Sequence, residues 1–153
     1  MSGPHLRPAV NADCEKVRAL IFAVLDEYDI EPAPKTADRD LDDLEGFYAG
    51  GIFDVLETSG GDIIGTGGLL PLEDGAGELR RMYLKQSARG RGYGKRLVAH
   101  AIDRARALGF KRIVLQTAQV LEEASGLYAK FGFAAAEDAP LERRCDRALS
   151  LDL

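Results

Sequence analysis

The amino-acid sequence predicts an α+β fold: a mostly antiparallel, mixed sheet of about seven strands flanked by about four helices. Two observations lead there. Between residues 52 and 85, three apolar segments are separated by glycine-rich turns, the pattern of an antiparallel meander. After residue 93 the apolar period lengthens, and helical and strand patterns alternate. A strand–helix–strand unit beside hairpins gives a mixed sheet.

The elements follow in order. Leu6 to Val10 reads as a short strand closed by Asn11, Ala12 and Asp13. Val17, Leu20, Ile21, Val24 and Leu25 recur at helical spacing behind Asp13, a residue suited to cap a helix. Pro32-Ala33-Pro34 interrupts that helix. A shorter helix is expected over Asp40 to Tyr48, ended by Gly50-Gly51. The meander comprises Ile52 to Thr58, Ile63 to Leu72 and Leu79 to Lys85, with turns at Ser59–Asp62 and Glu73–Gly77. Leu97, Val98, Ala101, Ile102, Ala105 and Leu108 mark one face of a helix over Gly94 to Leu108, stopped by Gly109. A strand at Ile113 to Thr117 and a helix at Leu121 to Phe131 come next. Phe133 to Glu137 and Arg143 to Leu151 complete the sheet. No repeat or linker divides the chain, so 1–153 reads as one domain.

Composition narrows the function. The 153 residues are 46% hydrophobic and 29% charged, which suits a folded enzyme and argues against disorder. No apolar run reaches the roughly 20 residues that span a bilayer, and Met1 to Val10 lacks the apolar core of a signal peptide. Cys14 and Cys145 are too few and too scattered for a disulfide framework or a zinc site. A cytoplasmic location is the expectation. The net charge is −5, yet Arg80, Arg81, Lys85, Arg89, Arg91, Lys95 and Arg96 form a segment without an acidic residue. Such a segment in an acidic chain suggests a specific anionic ligand rather than a nucleic-acid coat.

The anion is best placed at Arg89-Gly90-Arg91-Gly92-Tyr93-Gly94-Lys95, between a strand and an amphipathic helix. Glycines there allow positive φ and close backbone approach, so successive N–H groups can converge on one anion. The helix start adds unpaired N–H groups and the positive end of its dipole. A Walker A loop fails on spacing, because Arg89 stands where its first glycine belongs and Arg96 where its hydroxyl belongs. The dinucleotide fingerprint G-x-G-x-x-G fails too, because Gly90, Gly92 and Gly94 alternate.

Three motifs now resemble one family. Arg89-x-x-Gly92-x-Gly94 matches the Q/R-x-x-G-x-G/A signature of the GCN5-related N-acetyltransferase (GNAT) superfamily. Glu78-Leu79-Arg80-Arg81-Met82-Tyr83-Leu84 resembles the strand that leads into it. Ala124-x-x-Leu127-Tyr128-x-x-Phe131-Gly132-Phe133 resembles the family's A-x-x-L-Y-x-x-x-G-F helix end. The element order agrees from Leu6 to Leu151, and the specific part runs from Glu78 to Phe133.

The resemblance implies a parallel, splayed pair of central strands and acetyl-coenzyme A as cosubstrate, with no metal. The pyrophosphate would bind at Arg89, Gly90, Arg91, Gly92, Tyr93, Gly94 and Lys95. The pantetheine arm would pair with the backbone of Met82, Tyr83 and Leu84 like an added strand, with an N–H of Tyr83 or Leu84 polarising the thioester carbonyl. Tyr128 would protonate the leaving thiolate. Glu78, eleven residues before Arg89, stands where the histone-acetylating branch carries its general base. An amine near pKa 8 to 10.4 must lose a proton to attack, so such a base is useful, although many relatives have none. One departure is Leu121, where many relatives carry a coenzyme-contacting asparagine; Thr117, Gln119 or Ser125 could replace that contact.

The acceptor would be a primary amine of a small molecule or a protein. The stretch from Asp26 to Glu45 holds nine acidic residues, and it favours a cationic acceptor or a plain solvated face. His100 lies outside its helix's apolar stripe and reads as solvated, His5 lies near the chain start, and Cys145 reads as a strand residue. A non-catalytic coenzyme A-binding module is the alternative, and the presence of Tyr128 and Glu78 argues against it. A nucleic-acid binder would need exposed aromatics beyond Tyr83 and Tyr93. Relatives are often dimers, so a homodimer is an open expectation, as is the absence of any membrane partner.

Overall fold

The computed structural model describes residues 3–117, 122–136 and 147–153. Seven strands form one sheet: β1 (His5–Pro8), β2 (Ile52–Glu57), β3 (Ile63–Pro71), β4 (Ala76–Leu84), β5 (Arg112–Thr117), β6 (Ala134–Ala135) and β7 (Arg147–Asp152). Their order across the sheet is β1-β2-β3-β4-β5-β7-β6. Only β4 and β5 pair in parallel, and every other described neighbour is antiparallel. Among the described residues four α-helices accompany the sheet: α1 (Cys14–Glu27), α2 (Leu44–Phe47), α3 (Tyr93–Ala107) and α4 (Glu122–Lys130). The α+β class is as expected.

Two apolar layers sandwich the sheet. Val17, Ile21 and Val24 of α1 pack with Leu41, Leu44, Phe53 and Val55 on one face. Val98, Ala101, Ile102 and Ala105 of α3 pack with Ile52, Leu69, Leu79, Ile113 and Leu115 on the other. The period-two alternation of β2 is visible here: Phe53 and Val55 serve the first layer, Ile52 the second.

Several boundaries differ from the expected ones. The helix expected over Asp40 to Tyr48 is instead a 3₁₀ turn, Arg39–Asp42, followed by the short α2. Asp43 breaks it: φ is −148°, and its side chain accepts the Gly46 N–H to start a new helix. β4 begins three residues earlier than expected, because Gly75 at φ +83° completes the turn before Ala76. Of the strand expected over Phe133 to Glu137, β6 holds Ala134–Ala135 among the described residues, and Glu137 lies outside them. Leu121, Gln119, Cys145, and the side chains of Thr117, Ala124 and Ser125 lie outside the described residues.

Candidate active site

The parallel rungs between β4 and β5 run from Ala76↔Arg112 to Leu79↔Leu115 and then stop. Both strands continue, β4 to Leu84 and β5 to Thr117, with β5 still paired to β7 at its end. From Arg80 onward the two strands therefore part, and backbone groups of β4 face an opening.

A bulge in β4 goes with that parting. The register with β3 passes from Gly68↔Arg80 to Thr66↔Tyr83, so Arg81 and Met82 stand opposite Gly67 alone. Arg81 adopts φ +58°, a left-handed conformation that a long side chain rarely takes without compensation. The compensation is visible. Thr66, fully buried, donates its hydroxyl to the Arg81 carbonyl at 2.6 Å. The Arg81 guanidinium donates to both Asp40 oxygens, at 2.6 and 3.0 Å, and forms an ion pair with Asp38 at 3.0 Å. Both carboxylates are only 1% exposed. Asp38 also accepts the Ala33 N–H, and Asp40 accepts the Tyr48 hydroxyl at 2.6 Å. Burial and then Asp40 push the Tyr48 phenol well above its ordinary range, so it remains a donor. One arginine thus fastens the bulge to the segment after α1. This pairing carries no signal in the sequence, because the partners are 41 and 43 residues away in the chain and the bulge has no local signature.

The glycine turn has the form the sequence suggests. Gly90 and Gly92 take φ +79° and +83°, and nothing lies within 4 Å of where a Cβ would stand on either. Gly92 is the N-cap of α3 and no side chain caps that end, so the first N–H groups of the helix face outward without intrahelical partners. This open, positively polarised surface suits a phosphate group. Gly94 differs: an added Cβ would come 3.3 Å from Leu127, so its smallness lets α3 approach α4. Arg89 is held by a bidentate pair with Glu27 at 2.7 and 2.9 Å and donates to the Leu84 carbonyl. Its guanidinium anchors the turn to β4 and to the end of α1. The turn is tied down by its charge and left open along its backbone.

Tyr128 on α4 is 5% exposed and packs its ring against Phe133, centroids 5.6 Å apart. Its hydroxyl makes no hydrogen bond to a described residue. Burial, then the neighbouring Tyr83 phenol, raise its pKa above the ordinary value near 10. The phenol is thus held protonated and lies within electrostatic reach of β4 just past the bulge. Of the expected thioester-side residues, Met82 faces the α3 layer and Tyr83 packs against the α1 layer, while Leu84 lies beside Tyr93.

Glu78 sits on β4 opposite Val114 of β5, at the closed end of the opening. Its side chain is largely buried, accepts a hydrogen bond from Gln116 at 3.3 Å and lies 3.8 Å from the Arg80 guanidinium. It is not the surface residue that a strand start would often carry.

His100 differs from expectation: its side chain is 29% exposed and paired through Nε2 with the buried Asp54 at 2.6 Å, because Asp54 points from β2 into the α3 face. His5 is mostly exposed but lies 3.4 Å from Glu57. Neither faces the opening between β4 and β5. Among the described residues no three His, Cys, Asp or Glu side chains are grouped to hold a metal ion, and no helix is long and apolar enough to cross a membrane.

A sheet that opens between parallel central strands, beside a backbone cradle for phosphate, is the arrangement that the resemblance to the GNAT superfamily implies. The comparisons make the assignment specific. The model of the acetyltransferase (GNAT) family matches residues 18–133, and the chain belongs to that family. It is therefore an acetyltransferase, with acetyl-coenzyme A as the acetyl donor. An uncharacterized N-acetyltransferase of Escherichia coli, YjgM, is 35% identical over 85% of this chain and 81% of its own length. An IAA acetyltransferase of Azospirillum brasilense is 34% identical over 86% of each. Among solved structures, a GNAT-family acetyltransferase of Staphylococcus aureus superposes with a TM-score of 0.91 at 21% identity, over 97% of this chain and 98% of that one. A phosphinothricin acetyltransferase of Sinorhizobium meliloti in complex with acetyl-coenzyme A gives 0.77 at 21% identity, over 99% and 89%.

Proposed function

We propose that the chain moves the acetyl group of acetyl-coenzyme A to a primary amine of a small molecule or protein by direct attack on the thioester. The parting of β4 from β5 after Leu79 carries this reading. In it, the backbone from Gly90 to Lys95, with the cations Arg91 and Lys95, holds the pyrophosphate. The backbone of Met82, Tyr83 and Leu84 lies along the pantetheine arm, and an N–H of Tyr83 or Leu84 polarises the carbonyl. Arg89 acts by holding the turn in place. Glu78 takes the amine's proton, and Tyr128 gives its own to the departing sulfur.

The raised pKa of Tyr128 does not oppose that role. A thiolate forming in the same low-dielectric pocket is destabilised by the same desolvation, so donor and acceptor rise together. The reading includes action as one domain in the cytoplasm, an expectation supported by two scattered cysteines. The test is a panel of amines incubated with purified protein and acetyl-coenzyme A, with free thiol as the readout. Amine-dependent thiol release is the expected result, and coenzyme binding without release from any amine favours the non-catalytic module.

A further inference from the structure

The acidic stretch that hinted at a cationic acceptor is largely engaged within the chain. Glu27 holds Arg89, Asp38 and Asp40 hold Arg81, and Asp42 holds Arg18. Asp43 accepts from Asn11 and Gly46, and Glu45 from the Asn11 N–H. These carboxylates already have partners, so the charge argument for a cationic acceptor loses its footing.

A different charge stands at the opening. Arg80 is the first residue of β4 beyond the last rung to β5. Glu78 and Arg80 share one face of the strand, the face covered by α2, since the Arg80 guanidinium lies 5.6 Å over the Phe47 ring. Gln116 reaches the same place from β5 through its bond to Glu78. The Arg80 side chain is 18% exposed, yet its guanidinium makes no hydrogen bond to a described residue; its nearest carboxylate oxygen, on Glu78, is 3.8 Å away. Five N–H donors in fixed fork geometry are thus held against an aromatic ring without a short acceptor among the described residues. Arg81, next in the chain, shows the contrast, with its own donors bound to two buried carboxylates.

We propose that the acceptor is an α-amino acid or a close analogue with a carboxylate beside its amine, and that Arg80 binds that carboxylate. The inference rests on the acetyl-transfer reading of the same site. In an α-amino acid the two charged groups are separated by a single carbon, which matches an acid and a base side chain that stand side by side. The carboxylate accepts a bidentate pair from Arg80, and the ammonium lies at Glu78, to which it yields its proton before attack. A polyamine would instead bring like charge against Arg80.

The experiment compares three matched acceptors across several side chains: the amino acid, its primary amide and its decarboxylated amine. Thiol release from acetyl-coenzyme A is followed for the wild type and for Arg80→Gln. The wild type should favour the amino acid over the decarboxylated amine by about 10- to 100-fold in kcat/KM, the range for a charge-assisted hydrogen bond. Arg80→Gln should raise KM for the amino acid and bring that ratio near one. Circular dichroism and calorimetric acetyl-coenzyme A affinity establish that the variant is folded and cofactor-competent; if it does not fold, the wild-type ratio alone decides. A wild-type ratio of one or less, or an undiminished preference in Arg80→Gln, overturns the proposal. Turnover confined to amines without a carboxylate overturns it while leaving acetyl transfer standing. No turnover of any amine, polyamines and peptides included, overturns both.

Discussion

Tyr128 could serve as packing or as an acid, and one substitution separates the two. Tyr128→Phe keeps the ring against Phe133 and removes only the hydroxyl. The expected result is a fall in kcat of about 10²- to 10⁴-fold with acetyl-coenzyme A affinity unchanged, measured by steady-state kinetics and calorimetry. A near-normal kcat would assign Tyr128 to packing. Its pKa adds a sign: the acid is active while protonated, and burial and Tyr83 move its deprotonation upward. The wild-type kcat should therefore show no alkaline decline from this group up to about pH 10. Glu78 is tested on the other limb. Glu78→Gln removes a proton acceptor while keeping a partner for Gln116, so activity should be lost near neutrality. It should return as pH rises toward the amine's own pKa, where the acceptor is neutral without help. Profiles of kcat/KM from about pH 6 to 10 that share one shape in variant and wild type would place the base elsewhere.

At the level of elements, the bulge and the turn make opposite predictions. Arg81→Met leaves Asp38 and Asp40 buried without their cation, a loss of about 3 to 5 kcal/mol, readable as a lower denaturant midpoint. A midpoint within experimental error of the wild type would mean that water replaces the guanidinium. At Gly92, in contrast, an added Cβ has no atom within 4 Å, so Gly92→Val strains chiefly its own φ. The variant should stay folded yet bind acetyl-coenzyme A weakly, because the branched side chain stands where a phosphate must approach. Undiminished calorimetric affinity in a folded variant would remove the turn from the binding site. The two elements also differ in how well the sequence announces them. The turn is legible because glycine spacing and the helix behind it are local facts, readable within seven residues. The bulge is not, because it depends on Thr66 and on Asp38 and Asp40, which approach only in the folded chain. The same reason hid the Asp54–His100 pair and made the acidic stretch look like a surface. The expected helix from Asp40 failed for a local cause, since Asp43 competes for backbone donors as a cap. Element order, helix faces and the Tyr128 motif could be read because hydrophobic period and short motifs survive without tertiary information.

For the whole molecule, the order of strands carries a consequence for how the protein comes together. β2, β3 and β4 are consecutive in the chain and joined by short turns, so they can pair as soon as they exist, at little loop-closure cost. β7 is made after β6 yet lies between β6 and β5. The described β6 bonds only to β7, so it has no place in the sheet until the later strand has docked on β5. Assembly should therefore proceed from the meander outward, with the β5–β7–β6 side closing last. Pulse-labelling hydrogen exchange during refolding is expected to protect amides of Val55, Ile64 and Leu69 before those of Leu115 and Leu149. Simultaneous protection would indicate a single concerted step. Until β7 docks, the free edge of β5 is an unpaired strand lined by Ile113 and Leu115, the kind of surface on which two half-made chains can adhere. The interval before that strand inserts is the chain's period of greatest exposure to aggregation, and substitutions that weaken β7 should lower refolding yield more than they lower the stability of the finished protein.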